Sequence, residues 1–287
     1  MKLVGISTGG ATTIARLNDD GTATPIADRD VFWTDPRGWL ARAGRGAGEV
    51  VPPEHLVPVV PPSARVICVG LNYRAHAAEG AFQVPEFPTL FGRWTASLTA
   101  GGASAPVPAG EAGLDWEGEV AAYVGATLRD VDADTARAAV LGYSTFNDLT
   151  ARRAQKLTTQ WTLGKNADRS GPTGPLVTSD EVGDLRDGLS VTTRVNGTVV
   201  QDGNTRDMIF EVGEVLSLIS RTLTLNPGDV IATGTPEGVG YVRTPPWLLR
   251  PGDVVEVAVD RLGVLRTPIV TAGAPAHPRT ELEEARP

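Results

Sequence analysis

The sequence predicts a mainly β fold with a few α-helices, and three observations carry this prediction. Short apolar runs bounded by glycine or polar residues recur after residue 63, as expected of buried or half-buried strands. These runs are Val66–Gly70, Glu119–Gly125 and Leu141–Phe146. Asn196-Gly197 separates two further runs and is the commonest two-residue hairpin signal. Pro-Gly-Asp turns at Pro227 and Pro251 each precede another strand.

The N-terminal part is expected to form a small α+β module. Strands are predicted at Lys2–Ser7 and Thr12–Leu17, and a helix near Pro36–Arg45. The Pro-rich stretch Val51–Ser63 is typical of a connector. We therefore divide the chain into a module with its connector at 1–60, a catalytic domain at 61–271 and a flexible tail at 272–287.

Two helices are expected to interrupt the strands of the second domain. One covers Ala133–Val140. The other follows Asp207, which would serve as its N-cap. Its apolar residues, at positions 208, 212, 215, 216 and 219, share one stripe, the spacing of an amphipathic helix packed on a sheet.

The composition excludes several classes of protein. The chain has 287 residues, 41% of them hydrophobic, and a formal net charge of −8, which argues against binding to nucleic acid. It has no run of about twenty apolar residues and no signal-peptide pattern at its start, so we expect a cytoplasmic protein that does not enter membranes. The single cysteine, Cys68, excludes an intrachain disulfide and a cysteine-based zinc cluster, and we expect it to be buried in a strand.

Paired carboxylates precede one of the predicted strands. Glu117 and Glu119 are two residues apart, so in an extended chain both side chains point to the same face. Asp148 follows another strand and would be a third ligand if the two strand ends lie together. Three carboxylates form an oxygen-only shell suited to Mg²⁺ or Mn²⁺, with Ca²⁺ also compatible. The alternative is that these carboxylates are solvated strand positions.

A histidine and a glutamate lie three residues apart just after the strand that contains Cys68. If this segment is helical, His76 and Glu79 share a face, and the carboxylate would orient the imidazole as a general base for water. The alternative is a surface or capping histidine. The other two histidines, His55 and His277, lie in the connector and the tail, where we expect no chemistry.

Further polar residues could reach the same site. Arg152 and Gln155 are three apart on a predicted helix that begins close to Asp148. Lys165, which follows a glycine, could contact a substrate carboxylate or an oxyanion. Thr235, at a strand end, could offer its hydroxyl and backbone N–H to a carboxylate. The alternatives are surface cations and a threonine with a purely structural role in a turn.

Taken together, the order and spacing of these motifs resemble the fumarylacetoacetate hydrolase family, in its small branch of acylpyruvases and 2-oxo-hepta-3-ene-dioate isomerase/hydratases. The resemblance runs from about Val66 to Ile269. The motifs that carry it are VGLNYRAHAAEG, LDWEGE, FNDLTARRAQ, QWTLGK, VNGTVVQDGNT and VIATGTPEGVG.

The resemblance implies a mixed β-roll or sandwich of the type formed by the family's C-terminal domain, assembled as a homodimer. It assigns Glu117, Glu119 and Asp148 to the metal, and His76 with Glu79, in a segment that acts as a lid, to the activation of water. The resemblance places the remaining candidates at the substrate or oxyanion, and these are Lys165, Arg152, Gln155, Thr235, Asn72 and Tyr73.

This sequence also departs from the family pattern. Val69 stands where larger members carry a fourth acidic metal ligand, which favours the three-carboxylate shell. Arg153 and Asn166-Ala167 replace commoner residues, and Arg93 stands where many relatives carry lysine. The segment 241–250 is expected to form an unusual rim beside the site.

The leading functional hypothesis is metal-dependent hydrolysis of a C–C bond in a small anionic 2-oxo or β-diketo acid, such as an acylpyruvate or fumarylacetoacetate. A second hypothesis keeps the site but changes the reaction to decarboxylation, tautomerisation or hydration, including in a biosynthetic pathway. A third is a non-catalytic binding protein that has retained the fold.

Overall fold

The computed structural model describes residues 1–43, 49–52, 55–80 and 83–277. Its strands are β1 (Lys2–Thr8), β2 (Ala11–Leu17), β3 (Thr22–Asp28), β4 (Glu49–Val50), β5 (Leu56–Val57), β6 (Val66–Gly70), β7 (Thr89–Arg93), β8 (Leu98–Ala100), β9 (Ala105–Val107), β10 (Gly118–Val124), β11 (Val140–Asn147), β12 (Gly171–Thr173), β13 (Leu176–Thr178), β14 (Ser190–Val195), β15 (Thr198–Asn204), β16 (Val230–Ala232), β17 (Val254–Val259) and β18 (Gly263–Thr271). Its α-helices are α1 (Arg29–Phe32), α2 (Pro36–Arg42), α3 (Arg74–Glu79), α4 (Ala133–Ala138), α5 (Arg152–Gln155), α6 (Thr162–Lys165), α7 (Ser179–Val182) and α8 (Val212–Ser220).

The strands form two mixed sheets, which confirms the predicted fold class. The larger sheet follows the order β4-β3-β2-β1-β13-β11-β10-β16-β6-β7, with β5, β8 and β12 paired beside it. The smaller sheet follows the order β15-β14-β17-β18-β9. Each sheet combines antiparallel with parallel pairs; the parallel pairs are β16 with β6 and β12 with β8 in the larger sheet and β18 with β9 in the smaller one.

The antiparallel pair β10 and β11 lies at the centre of the molecule, and every residue of both strands is buried. On one face of β10, Val120 and Val124 pack with residues of the smaller sheet and of α8. On the other face, Ala121 and Tyr123 pack with β6 and with α1. A strand covered on both faces carries a continuous apolar run, which explains the pattern read from the sequence.

The N-terminal strands continue the larger sheet. Lys2 of β1 pairs with Val177 of β13. Phe32 and Trp33 are buried in the same core cluster as Phe146 of β11. The indole Nε1 of Trp33 also donates to the carbonyl of Val59, at 2.8 Å. These contacts hold β1 and the segment around Phe32 and Trp33 against the strands that carry the candidate site.

Most predicted elements are present. The hairpin turns at Asn196-Gly197 with positive φ at both residues, and Cys68 is buried. Strand β3 was not predicted; it contains Pro25, where its pairing with β2 shifts register. The prediction of Asp207 as a helix cap is wrong. Helix α8 begins at Val212, and Glu211 caps it in a reciprocal arrangement with Glu214.

Some predictions fall partly on residues outside the described ranges. These are residues 44 and 45 of the N-terminal helix, residues 53 and 54 of the connector, and residues 278–287 of the tail. Where the tail is described, the Ser104 hydroxyl donates to the carbonyl of Ala276 at 3.0 Å. Within the described ranges, helices are too short or too polar to cross a membrane.

Candidate active site

Three buried carboxylates meet where β10 begins and β11 ends. Antiparallel pairing places Glu119 opposite Phe146, and the amide of Asp148 donates to the carbonyl of Glu117 at 2.9 Å. Because side chains alternate along a strand, this register brings Glu117, Glu119 and Asp148 to one face. Carboxylate oxygens from the three residues lie within 4.8 Å of one another. The positions predicted separately from two strands thus form one cluster.

Three cationic side chains surround this cluster, of which Lys165 and Arg93 are buried and Arg152 is half-buried. Lys165 Nζ lies 2.5 Å from Glu117 and 2.6 Å from Asp148. Arg152 lies 2.6 Å from Glu117 Oε1. Arg93 donates to Asp148 Oδ1 through Nε, at 3.0 Å, and through a terminal nitrogen. Every one of these carboxylates except Glu119 therefore has a cationic partner.

The pKa values of two ligands move in opposite directions. Burial raises the pKa of the Glu119 carboxyl well above its usual range, and repulsion from Asp148 and Glu117 adds to this effect. Burial also acts to raise the pKa of Glu117, but the charges of Lys165 and Arg152 outweigh it and lower the pKa to about 2. Burial opposes the charge on Lys165, yet Asp148 and Glu117 raise its pKa. The cluster thus has one carboxyl that favours a proton and one that stays ionised.

The donor set fits a divalent cation. The cluster offers three buried carboxylate oxygens close to one another, and carboxylate oxygens are preferred ligands of hard ions such as Mg²⁺ and Mn²⁺. The amide of Gly234 donates to Glu119 Oε2 at 2.9 Å and thereby orients that carboxylate. Glu119 is buried beside two other carboxylates without a cationic side chain of its own, which is unfavourable unless it binds an ion or a proton, so an ion at the cluster accounts for its position.

His76 and Glu79 form a hydrogen-bonded pair on α3. The imidazole Nδ1 lies 2.7 Å from Glu79 Oε1, and the amide of Gly238 donates to Glu79 Oε2 at 2.8 Å. The helix follows Leu71, a non-glycine residue with φ of 57°, and such strain concentrates at functional sites. Residues 81 and 82, which follow the helix, lie outside the described ranges.

His76 and the carboxylate cluster line one cavity of about 550 Å³. Its lining includes His76, the three carboxylates, and further residues predicted from the sequence, namely Arg152, Gln155, Lys165 and Thr235. Helices α5 and α6 carry three of these and pack closely at Gly164. A Cβ there would lie 2.6 Å from the Gln155 backbone nitrogen. The glycine before Lys165 therefore permits the helix contact that delivers the lysine.

Other predicted residues have a different setting. Thr235 Oγ1 donates to the carbonyl of Gly118 and accepts from Gln201, so its hydroxyl is engaged within the protein. Asn72 is buried, is not part of the cavity lining, and bonds through its amide to the backbone of Phe210 and Thr233. Tyr73 is also buried outside the lining, and its hydroxyl lacks a hydrogen-bond partner within the described chain.

Asp115 is an important residue that was not predicted. It is fully buried and accepts hydrogen bonds from the amides of Trp116 at 2.9 Å, Gly240 at 2.7 Å and Tyr241 at 3.1 Å. It also accepts from Arg152 Nε at 2.8 Å. The sequence could have indicated Asp115, because it lies two residues before Glu117 and the alternation of side chains in an extended chain places both on one face.

The buried carboxylate cluster faces one cavity together with His76, whose imidazole is hydrogen-bonded to Glu79, and these groups define an acid–base active site that fits a divalent cation. The sequence model of the protein family described as fumarylacetoacetate (FAA) hydrolase C-terminal matches residues 65–270 of this chain. The mitochondrial oxaloacetate tautomerase of Xenopus laevis is 38% identical over 218 residues, which cover 75% of this chain and 68% of that protein. The chain belongs to the fumarylacetoacetate hydrolase family, as its motifs indicated.

Solved structures agree with this assignment. Fumarylacetoacetate hydrolase from Exiguobacterium antarcticum matches with a TM-score of 0.74 and 34% identity, covering 94% of this chain and 99% of that one. Fumarylpyruvate hydrolase from Pseudomonas aeruginosa, solved in complex with Mn²⁺ and pyruvate, matches with a TM-score of 0.66 and 31% identity, covering 80% and 100%. Because these relatives are enzymes, the expectation of an enzyme is confirmed over that of a non-catalytic binding protein.

Proposed function

We propose that this enzyme binds Mg²⁺ or Mn²⁺ at Glu117, Glu119 and Asp148 and hydrolyses a C–C bond in a small 2-oxo or β-diketo acid. The observation that carries the proposal is the His76–Glu79 hydrogen bond of 2.7 Å, in a cavity that His76 shares with the carboxylate cluster. A metal site alone would serve several reactions on 2-oxo acids. Hydrolysis additionally requires a base for water, and this pair supplies one.

The charges around the cluster suit an anionic substrate. When all are ionised, the three ligand carboxylates and Asp115 carry four negative charges against the three positive charges of Lys165, Arg152 and Arg93. A divalent ion would turn this net negative charge into a net positive one. When bound, the ion would hold two substrate oxygens and polarise a carbonyl as a Lewis acid.

Proton transfer follows from the orientation of His76. Because Nδ1 is bonded to Glu79, Nε2 is the nitrogen available to take a proton from water. The resulting hydroxide adds to the distal carbonyl carbon. The bond from that carbon to the carbon between the two carbonyls then breaks, and its electron pair remains on the 2-oxo fragment as an enolate. The proton on His76 returns to this fragment, which yields a carboxylic acid and a 2-oxo acid.

Lys165 and Gln155 are placed to stabilise the oxyanion that forms when hydroxide adds. Lys165 uses two of its three N–H donors on Glu117 and Asp148, which leaves one for the substrate. Gln155 accepts from Arg152 through Oε1 at 3.0 Å, and its Nε2 makes no hydrogen bond to the described residues. One such donor contributes on the order of 10²-fold or more to the rate.

A second candidate is tautomerisation of a 2-oxo acid, which the named activity of the Xenopus laevis relative supports. Moving a proton between carbon and oxygen needs the base but no attacking water. The same site would also serve decarboxylation or hydration, so the products must decide between the reactions.

The test is a product-resolved assay of the purified enzyme with Mn²⁺ or Mg²⁺, using an acylpyruvate, oxaloacetate and a 2-oxo-ene-dioate. Metal-dependent release of pyruvate and a carboxylic acid from the acylpyruvate, lost in Glu117→Ala and His76→Ala, is the expected result. His76→Ala should still bind Mn²⁺. Release of CO₂ or of an isomer without cleavage would move the enzyme to a lyase or tautomerase activity, and full activity of His76→Ala would exclude the proposed base.

A further inference from the structure

We propose that Lys156, held against Tyr241, binds a second carboxylate at the far end of the substrate and makes the enzyme selective for 2-oxo dicarboxylic acids. This inference rests on the proposed function, because it assumes that the 2-oxo acid end of the substrate lies at the carboxylate cluster. It adds the chemical class of the distal group.

The cavity is larger than the 2-oxo acid end requires. A group of six heavy atoms, such as pyruvate, displaces roughly five waters, or about 150 Å³. The cavity measures about 550 Å³. Most of its volume is therefore available to the part of the substrate beyond the reacting carbonyls, and the residues around that volume determine which substrates fit.

The charges that line the cavity are separated. All of its acidic lining residues belong to the cluster of Glu117, Glu119 and Asp148. Lys156 lines the cavity without a carboxylate partner within 4.0 Å in the part of the chain that the structure describes. Arg152 and Lys165 are by contrast bonded to the buried carboxylates. Among the described lysine and arginine residues of the lining, Lys156 is thus the one whose charge no carboxylate compensates.

Tyr241 holds this ammonium group in place. Lys156 Nζ lies 3.7 Å from the centroid of the Tyr241 ring, within the range of a cation–π contact. Arg152 lies 5.7 Å from the same ring and contacts Glu117 at 2.6 Å. Tyr241, Lys156 and the carboxylate cluster all line the same cavity, so one bound molecule can contact both the cluster and Lys156. A lysine held in this way loses less side-chain entropy on binding than a free one.

Binding can be measured without turnover by using 2-oxoadipate and 2-oxohexanoate, which differ only in a terminal carboxylate or methyl group. We expect the Mn²⁺-loaded enzyme to bind 2-oxoadipate about fivefold more tightly, the size of a partly exposed ion pair. Lys156→Met should abolish the difference and Lys156→Arg should retain it. Arg153→Met is the matched control, because Arg153 is the exposed neighbour outside the cavity lining.

A second, independent test measures the turnover of fumarylpyruvate and crotonylpyruvate, which also differ only in a terminal carboxylate or methyl group. Lys156→Met should lower kcat/KM for fumarylpyruvate about fivefold and leave crotonylpyruvate unchanged, and added salt should reduce the wild-type preference. Equal affinity of the wild type for both 2-oxo acids, or a preference that persists in Lys156→Met, would overturn the inference. Failure of the wild type to cleave either acylpyruvate would instead count against the proposed hydrolase, while the binding comparison would still decide the role of Lys156.

Discussion

Replacing Lys165 with methionine should strongly destabilise the metal-free enzyme. Lys165 is 2% exposed, and its ammonium group bridges Glu117 and Asp148 at 2.5 and 2.6 Å. Methionine keeps most of the volume but removes the charge, so both carboxylates lose a partner inside the protein. Breaking a buried ion pair in this way costs about 3–5 kcal/mol.

The pKa of Glu117 gives a second measure of this cost. The surrounding cations lower it from 4.5 to about 2, a shift worth on the order of 3 kcal/mol, to which both Lys165 and Arg152 contribute. A lowered pKa stabilises the folded state above the unfolded pKa near 4.5, and this stabilisation is lost as the pH falls toward 2. The difference between wild type and Lys165→Met should therefore be largest near neutral pH and shrink in acid.

Thermal unfolding in the presence of EDTA tests this prediction. We expect the melting temperature of Lys165→Met to fall by roughly 10 °C at pH 7. Saturating Mn²⁺ should raise it again, because the ion stabilises only the folded state. Lys156→Met, which removes an exposed lysine, is the control and should change it by no more than about 2 °C. A metal-free Lys165→Met that melts within a degree of wild type would refute the reasoning.

Two further predictions concern the metal and the helix contact beside it. Burial raises the pKa of Glu119, so the metal must displace a proton. The affinity for Mn²⁺ should weaken by up to about tenfold for each pH unit below that pKa. Calorimetry in two buffers of different ionisation enthalpy should detect the proton that is released on binding. An affinity for Mn²⁺ that does not depend on pH would contradict this prediction. Gly164→Ala should cost about 1–3 kcal/mol and lower kcat, because its Cβ would lie 2.6 Å from the Gln155 backbone nitrogen. Gly92→Ala, whose Cβ would meet no atom within 4 Å, should behave as wild type in unfolding and activity measurements.

The sequence predicted best those elements whose signals are local. The hairpin at Asn196-Gly197 needs positive φ at both residues, and these residue types supply it. The predicted start of helix α8 was several residues too early, because Asp207 has the side-chain chemistry of a helix N-cap. The amide groups at the start of the helix are instead satisfied by Glu211 and Glu214. Local propensity identifies candidate caps, whereas the path of the chain decides which one is used.

The site required a register that no local pattern contains. Strand alternation put Glu117 and Glu119 on one face, but their approach to Asp148 depends on the pairing of β10 with β11. Family motifs supplied that relation. The motifs could not reveal that Arg93 binds Asp148. The two residues are far apart in the sequence, and nothing in the residues around Arg93 indicates that it is buried beside a carboxylate. Buried charges become recognisable only when both partners have been placed.

Asp115 links the loop that begins at Gly240 to the candidate metal site. Its carboxylate holds the amides of Gly240 and Tyr241 and also the guanidinium of Arg152, which in turn contacts the metal-ligand candidate Glu117. A change in the loop that begins at Gly240 would thus alter the partners of Asp115 and, through Arg152, the charge felt at Glu117. Evolution of a new substrate range by remodelling this loop would therefore also alter affinity for the ion, so the two traits should change together among natural variants.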